Sequence, residues 1–195
     1  MSKEVIQKAT HVGKIALGEI EISCAVLDDG TRVLVEQGMA NALGKRGGGS
    51  HWKTKKTQSA VMLPEYLSAS CLTPYIDDNL SSKLKAPIQY INKNGRKTQG
   101  VLATTLPDIC DVWIKAKEGG ALDDKSILTA QKAYILMRGF ATVGIIALVD
   151  EATGYQEIRD KKALQTILDK YLTDEWAKWT KRFPEEFHKE LSRLK

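Results

Sequence analysis

Lys45, Arg46, Lys53, Lys55 and Lys56 bring five positive charges together in GKRGGGSHWKTKK (44–56), with His51 and Trp52 between them and no acid in the stretch. Three kinds of behaviour are open to residues of these types. A phosphate-cradling catalytic loop needs GxxxxGK followed by Ser or Thr, between a strand and a helix, so that backbone N–H groups and the lysine converge on phosphates. No Gly-Lys-Ser or Gly-Lys-Thr occurs, the stretch follows an expected helix, and GxGxxG is absent. Nucleotide-loop chemistry is therefore excluded. Contact with a nucleic-acid backbone asks for less: cations on a glycine-hinged segment can follow phosphates, while Trp52 and His51 stack on bases or sugars. The third behaviour is that of a solvated, flexible connection. The concentration of charge favours phosphate contact over a bare connection. Sequence specificity would need base-edge contacts from a positioned element. Arg32, Gln37 and Asn41, just ahead of the loop, are the candidates for that, unless they serve packing.

The charge balance isolates the stretch. The chain of 195 residues carries 29 basic and 24 acidic side chains, a formal net charge of +5. Taking the five loop cations from 29 leaves 24, equal to the acids, so the imbalance is local and the protein is not generally basic.

The inventory for catalysis is thin. His11, His51 and His188 lie far apart and begin no HxH or HExxH pattern, and no GxSxG elbow occurs. Cys24, Cys71 and Cys110 are widely spaced and form no CxxC pair. They read as reduced thiols, small core residues of a cytosolic protein, and neither as a disulfide framework nor as a zinc site. A nuclease-like reading would pair Pro107-Asp108 with Asp160-Lys161-Lys162, but these fall in expected helices or turns. No catalytic residue, metal or cofactor is expected, with a metal-dependent nuclease as the enzymatic alternative.

These residues must be carried by an α+β fold: an N-terminal β-meander and hairpin with short helices, then a mainly helical C-terminal half. Ile15 and Leu17, then Ile20, Ile22, Cys24 and Val26, alternate against Glu19, Glu21 and Ser23, predicting strands with one buried face. Asp29-Gly30 predicts a hairpin turn into TRVLV, and EQGMANALG predicts a helix stopped by Gly44. LPEYLSASCL and PYIDDNLSSKLK predict short helices, the second favoured by Asp77 and Asp78 at its start. Asn94-Gly95 predicts a second hairpin. TTLPDICDVWIKAKEGG predicts a helix capped by Thr105, with Leu106, Ile109 and Trp113 on one face and Gly119 at its end. From Asp123 onward the pattern is helical, with Ile127, Ala130, Tyr134, Met137, Ala141 and Ile145 as the expected buried face of a long helix. In that helix Gly139 and Gly144 permit close approach, in a tight core or a dimer seam. Asp150 and Glu151 leave the helix and Gly154 terminates it, with Arg138 as the expected partner of one carboxylate. Trp176 and Trp179 share a face, which favours a core or subunit contact over base stacking. Segments 1–60, 61–122 and 123–195 are expected to form one compact unit. The start, MSKEVIQKATHVGK, has no apolar h-region, and the clean apolar run Val143–Val149 is too short to span a bilayer, so a cytoplasmic protein is expected.

The stretch VGIIALVDEATGYQEIRDKKALQTILDKYL, with the later WTKRFPEEFHKELSRL, resembles a C-terminal domain family of phage and prophage proteins named after a myxobacterial phage protein. The resemblance continues upstream through DGTRVLVEQGMANALGK, LPEYLSASCLTPYI and LPDICDVWIKAKEGG, and the opening meander and helix look weakly Bro-like. Asp150, Glu151, Gly154, Tyr155 and Arg159 stand at the family's hallmark positions, and the resemblance supplies no catalytic role for them. It implies a phage origin and the company of DNA-binding regulators. The expected function is that of a DNA-binding regulatory protein that is not an enzyme, with double-stranded DNA as partner. The alternative is a protein-interaction module, antirepressor-like or an inhibitor of a host defence protein, that sets the same cations against an acidic protein surface. Self-association is expected of the helical half.

Overall fold

The computed structural model describes residues 6–17, 20–44 and 63–181. The fold is α+β, with strands and short helices first and a helical C-terminal half. β1 (Gln7–Leu17), β2 (Ile20–Leu27) and β3 (Arg32–Leu34) form the expected meander, turning at Gly30 with φ of 83°. After α1 (Glu36–Ala42) come two 3-10 turns, Glu65–Leu67 and Ser70–Tyr75, where a helix was expected over LPEYLSASCL. Pro74 lies inside the second turn and cannot donate to a continuing α-helix. Helix α2 (Asp78–Lys85) starts as expected, with Asp77 Oδ1 accepting from the Leu80 N–H at 2.6 Å.

β4 (Ile88–Ile91) and β5 (Lys97–Leu102) form the second hairpin, and this hairpin closes the first meander into a five-stranded barrel. β5 pairs antiparallel with β3, Val33 opposite Leu102, while β4 pairs parallel with β1, Gln7 opposite Tyr90. Segments 1–60 and 61–122 therefore share one sheet. Closure also explains why the expected single buried face of β2 is two faces. Ala25 and Leu27 point into the barrel with Val33 and Tyr90, while Ile22 joins the helices on the other side. Gly38 lets α1 lie directly on that outer face: a Cβ there would stand 2.9 Å from the Ile22 Cα.

The main core is roofed by α3 (Thr105–Glu118), α4 (Asp124–Thr153) and α5 (Ala163–Thr180). Thr105 does not cap α3; its hydroxyl is buried and donates to the Leu102 carbonyl at 2.7 Å, tying the helix start to β5. Asp123 caps α4 by accepting from the Ser126 N–H at 2.9 Å. The expected buried face of α4 holds in part: Ala130 is buried and Ile127 and Met137 are half-buried, whereas Tyr134, Ala141 and Ile145 are exposed. Leu128, Ala133, Ile135, Leu136 and Gly139 are buried in their place. This helix is apolar nearly all round, so periodicity alone does not mark the side taken by the core. Among the described residues, α4 is also the one helix long and apolar enough to cross a membrane by length and composition. α5 returns along it: Leu168 and Leu172 sit where a Cβ on Gly139 would be 3.0 and 3.1 Å away, which assigns Gly139 to a tight core.

Cys110 is buried on α3, and burial, followed by the charge of Asp111, pushes its thiol up to about 12. Cys24 is half-buried and shifted upward by the same desolvation. Because the thiolate is the reactive form, a thiol held this far up is nearly inert near pH 8. Iodoacetamide at that pH should therefore modify Cys71 first and Cys110 only when the chain unfolds. Native-state labelling of Cys110 at the rate of Cys71 in a mass-spectrometric time course would contradict this packing.

Candidate functional site

Lys45, Arg46, His51, Trp52, Lys53, Lys55 and Lys56 lie outside the described residues, as do His188 and the WTKRFPEEF segment beyond Lys181. The described chain fixes the anchor from which the loop departs. Gly44 follows α1 with φ of 74°, and a Cβ on it would stand 2.9 Å from Lys132 Nζ. That ammonium lies 5.3 Å from the centre of the Trp176 ring, and Trp176 stacks on Trp179 with ring centres 5.0 Å apart. Trp179 is buried and Trp176 packs against the core, so the pair is a structural contact, as expected.

A second basic element does not stand out from the net charge. Residues 79–107 contain Lys83, Lys85, Lys93, Arg96 and Lys97 and no acid, a run that a charge count along the chain exposes. Lys83 is drawn to Asp108 on α3, at 3.6 Å. Lys93, Arg96 and Lys97 are gathered at the tip of the β4–β5 hairpin, exposed and without an ion pair among the described residues. The tip is rigidly closed. Asn92 Oδ1 accepts from the Asn94 and Arg96 N–H groups at 2.9 and 3.0 Å, and Gly95 takes φ of 73°. On such a turn three cations project from a closed backbone, so their charge is held together at one end of the hairpin for anionic groups. Arg32 is exposed, Gln37 Nε2 donates to Asn41 Oδ1 at 3.4 Å, and these two amides are partly spent on each other.

Asp150, Glu151, Gly154, Tyr155 and Arg159 come together at the turn between α4 and α5. Arg159 Nη1 donates to Asp150 Oδ2 at 2.6 Å, with the two side chains only 18% and 12% exposed. Gly154 ends α4 with φ of 73°, its N–H donating to the Glu151 carbonyl at 3.2 Å, and the Arg159 N–H donates to the Tyr155 carbonyl at 2.9 Å. The left-handed residue turns the chain, and the ion pair clamps the two sides of the turn. Glu151 and Tyr155 are exposed beside this clamp. Arg138 is not the partner expected for either carboxylate. Its guanidinium is held by the Tyr171 and Tyr134 hydroxyls, and hydrogen bonding to Tyr171, the larger cause, raises its pKa further.

The residues of the nuclease-like reading have local partners. Asp108 faces Lys83, and Asp160 Oδ1 accepts from the Lys162 N–H at 2.7 Å to close its own turn. Among the described residues no group of three or more His, Cys, Asp or Glu is placed to hold a metal ion. No protein family matches this chain, and neither any curated protein nor any solved structure does.

Proposed function

We propose that the protein is a phage or prophage regulatory protein that binds double-stranded DNA through its phosphate backbone. The observation that carries this reading is the acid-free cluster Lys45, Arg46, Lys53, Lys55 and Lys56, which is the tightest concentration of positive charge in the chain. His51 and Trp52 within it supply groups that stack on bases or sugars. The exposed cations of the β4–β5 tip, Lys93, Arg96 and Lys97, support it as a second phosphate-binding element on a rigid mount. The resemblance of the C-terminal half to phage proteins supports the phage setting. Charge of this kind positions a protein on a duplex and carries affinity; it does not read sequence.

Fluorescence anisotropy with a labelled duplex between 50 and 200 mM salt tests the reading. Neutralising about four phosphates should weaken binding by roughly a hundredfold over that range. Changing Lys53, Lys55 and Lys56 to Glu should abolish binding. Replacing Lys93, Arg96 and Lys97 by Gln should leave a shallower slope, by about one for each phosphate no longer neutralised. Absence of binding by the unsubstituted protein at 50 mM salt would refute DNA binding and turn the same cations toward an acidic protein partner. A stoichiometric protein captured from nuclease-treated host lysate would then identify it.

A further inference from the structure

The outward face of α4 carries an apolar stripe that nothing in the chain described covers. Tyr134, Ala141 and Leu148 repeat every seven residues, and Arg138, Ile145 and Ala152 follow each by four, which is the spacing of a helix–helix seam. All six are exposed; Ile145 is 59% and Leu148 63% accessible, with Val149 at 53% alongside. The stripe ends at the hairpin tip with Tyr155 and Ile158, the latter 79% accessible. These side chains leave on the order of 500 Å² of apolar surface in water, the range in which a contiguous patch marks an interaction site. With its polar rim, such a patch approaches the roughly 800 Å² per partner of a standard interface.

We infer that this face binds a second copy of the chain, with the two α4 helices running antiparallel about a two-fold near residues 143–145. Self-complementarity is the argument for that occupant. An antiparallel pair sets Ile145 against Ala141 of the second copy and Tyr134 against its Ala152, bulky against small, and lays the Arg138 stem along its Leu148. Gly144, with nothing within 4 Å of the Cβ it lacks, lets the backbones approach at the centre. Arg138 comes within a turn of Glu151 of the second copy. Both are exposed, and neither has an ion pair with another described residue. A parallel pair would put Arg138 on Arg138 and Glu151 on Glu151. The same antiparallel arrangement carries the second copy's tip, Tyr155 and Ile158, to the level of a cavity of about 250 Å³ between α3 and α4. That cavity is lined by Ile114, Lys117, Glu118, Ala130, Gln131 and Tyr134, and its volume suits one large side chain. A two-fold contact of this type is isologous, each tip filling the other copy's cavity.

Sedimentation equilibrium of the full chain should give twice the chain mass at micromolar concentration. Leu148→Lys should weaken association at least ~100-fold, since it sets a second cation against Arg138 of the second copy in the seam, while leaving the thermal midpoint of the dilute monomer unchanged. Ile158→Asp should weaken it about tenfold through the tip alone. Oxidative cross-linking fixes direction, read against the unsubstituted chain with its own Cys24 and Cys71. A mixture of Tyr134→Cys and Ala152→Cys chains should cross-link, and Ala152→Cys alone should not. A monomeric unsubstituted chain, a dimer indifferent to Leu148→Lys, or cross-linking of Ala152→Cys to itself would each overturn the inference. So would a monomer that floats with phosphatidylcholine vesicles and loses them on Leu148→Lys, because lipid would then be the occupant.

Discussion

Trp113→Ala should cost about 3–5 kcal/mol, the range for emptying a fully buried aromatic site, and so leave little or none of the 5–15 kcal/mol typical of a domain. Trp113 is 1% exposed at the middle of α3, in the cluster that joins barrel strands, α1, α3, α4 and α5. Ile109, Cys110 and Ala116 on the same helix are fully buried as well, so the vacated volume would lie inside the core and not at its edge. Urea unfolding followed by far-UV circular dichroism, which does not depend on tryptophan emission, should show a midpoint displaced far toward zero denaturant or no cooperative transition. Trp176→Ala, at the edge of the same cluster, should cost far less. Equal effects of the two substitutions would mean that α3 is not the centre of the core.

What could be read from the sequence were the local rules, and what could not were the choices between equivalent faces. Asp29-Gly30 and Asn94-Gly95 announce their turns because only glycine takes φ near +80° without strain, and both glycines do so. The helix starts at Asp77 and Asp123 are legible for the same kind of reason, a carboxylate aimed at free N–H groups. Barrel closure is not local. The pairing of β1 with β4 joins Gln7 to Tyr90, and nothing in either strand names the other. The long helix α4 is the instructive failure. Its outward face carries Tyr134, Ala141, Ile145 and Leu148, while the core takes the side on which Gly139 admits Leu168 and Leu172 of α5. A helix with two apolar faces has two partners to find, and periodicity reports the faces without ranking them. At the candidate site, the loop cluster stands out because its five cations are crowded into residues 45–56, while the β4–β5 tip is hidden by acids elsewhere that cancel it in the total.

Asp150 and Arg159 invite the second large prediction, which separates a structural role from a functional one. Asp150→Ala leaves the Arg159 guanidinium, 18% exposed, without its carboxylate, and its Nε already lacks a hydrogen-bond partner among the described residues. Breaking a buried pair from one side costs about 3–5 kcal/mol; partial access to water at this turn reduces that to about 2–3 kcal/mol. Arg159→Ala strands the Asp150 carboxylate and should cost a similar amount. The double substitution removes both charges together, so it should be less damaging than the sum of the two single effects, and the difference measures the coupling. Because the pair clamps a turn far along α4, part of the destabilisation should appear as local opening. Amide exchange should accelerate at 150–160 before it does in the barrel. If the clamp's task is structural, Asp150→Asn should keep DNA binding while exchange at the turn rises. Loss of DNA binding with stability and exchange unchanged would instead make Asp150 and Arg159 part of a binding surface. In that case the turn, and not the glycine–lysine loop alone, would have to be placed against the partner.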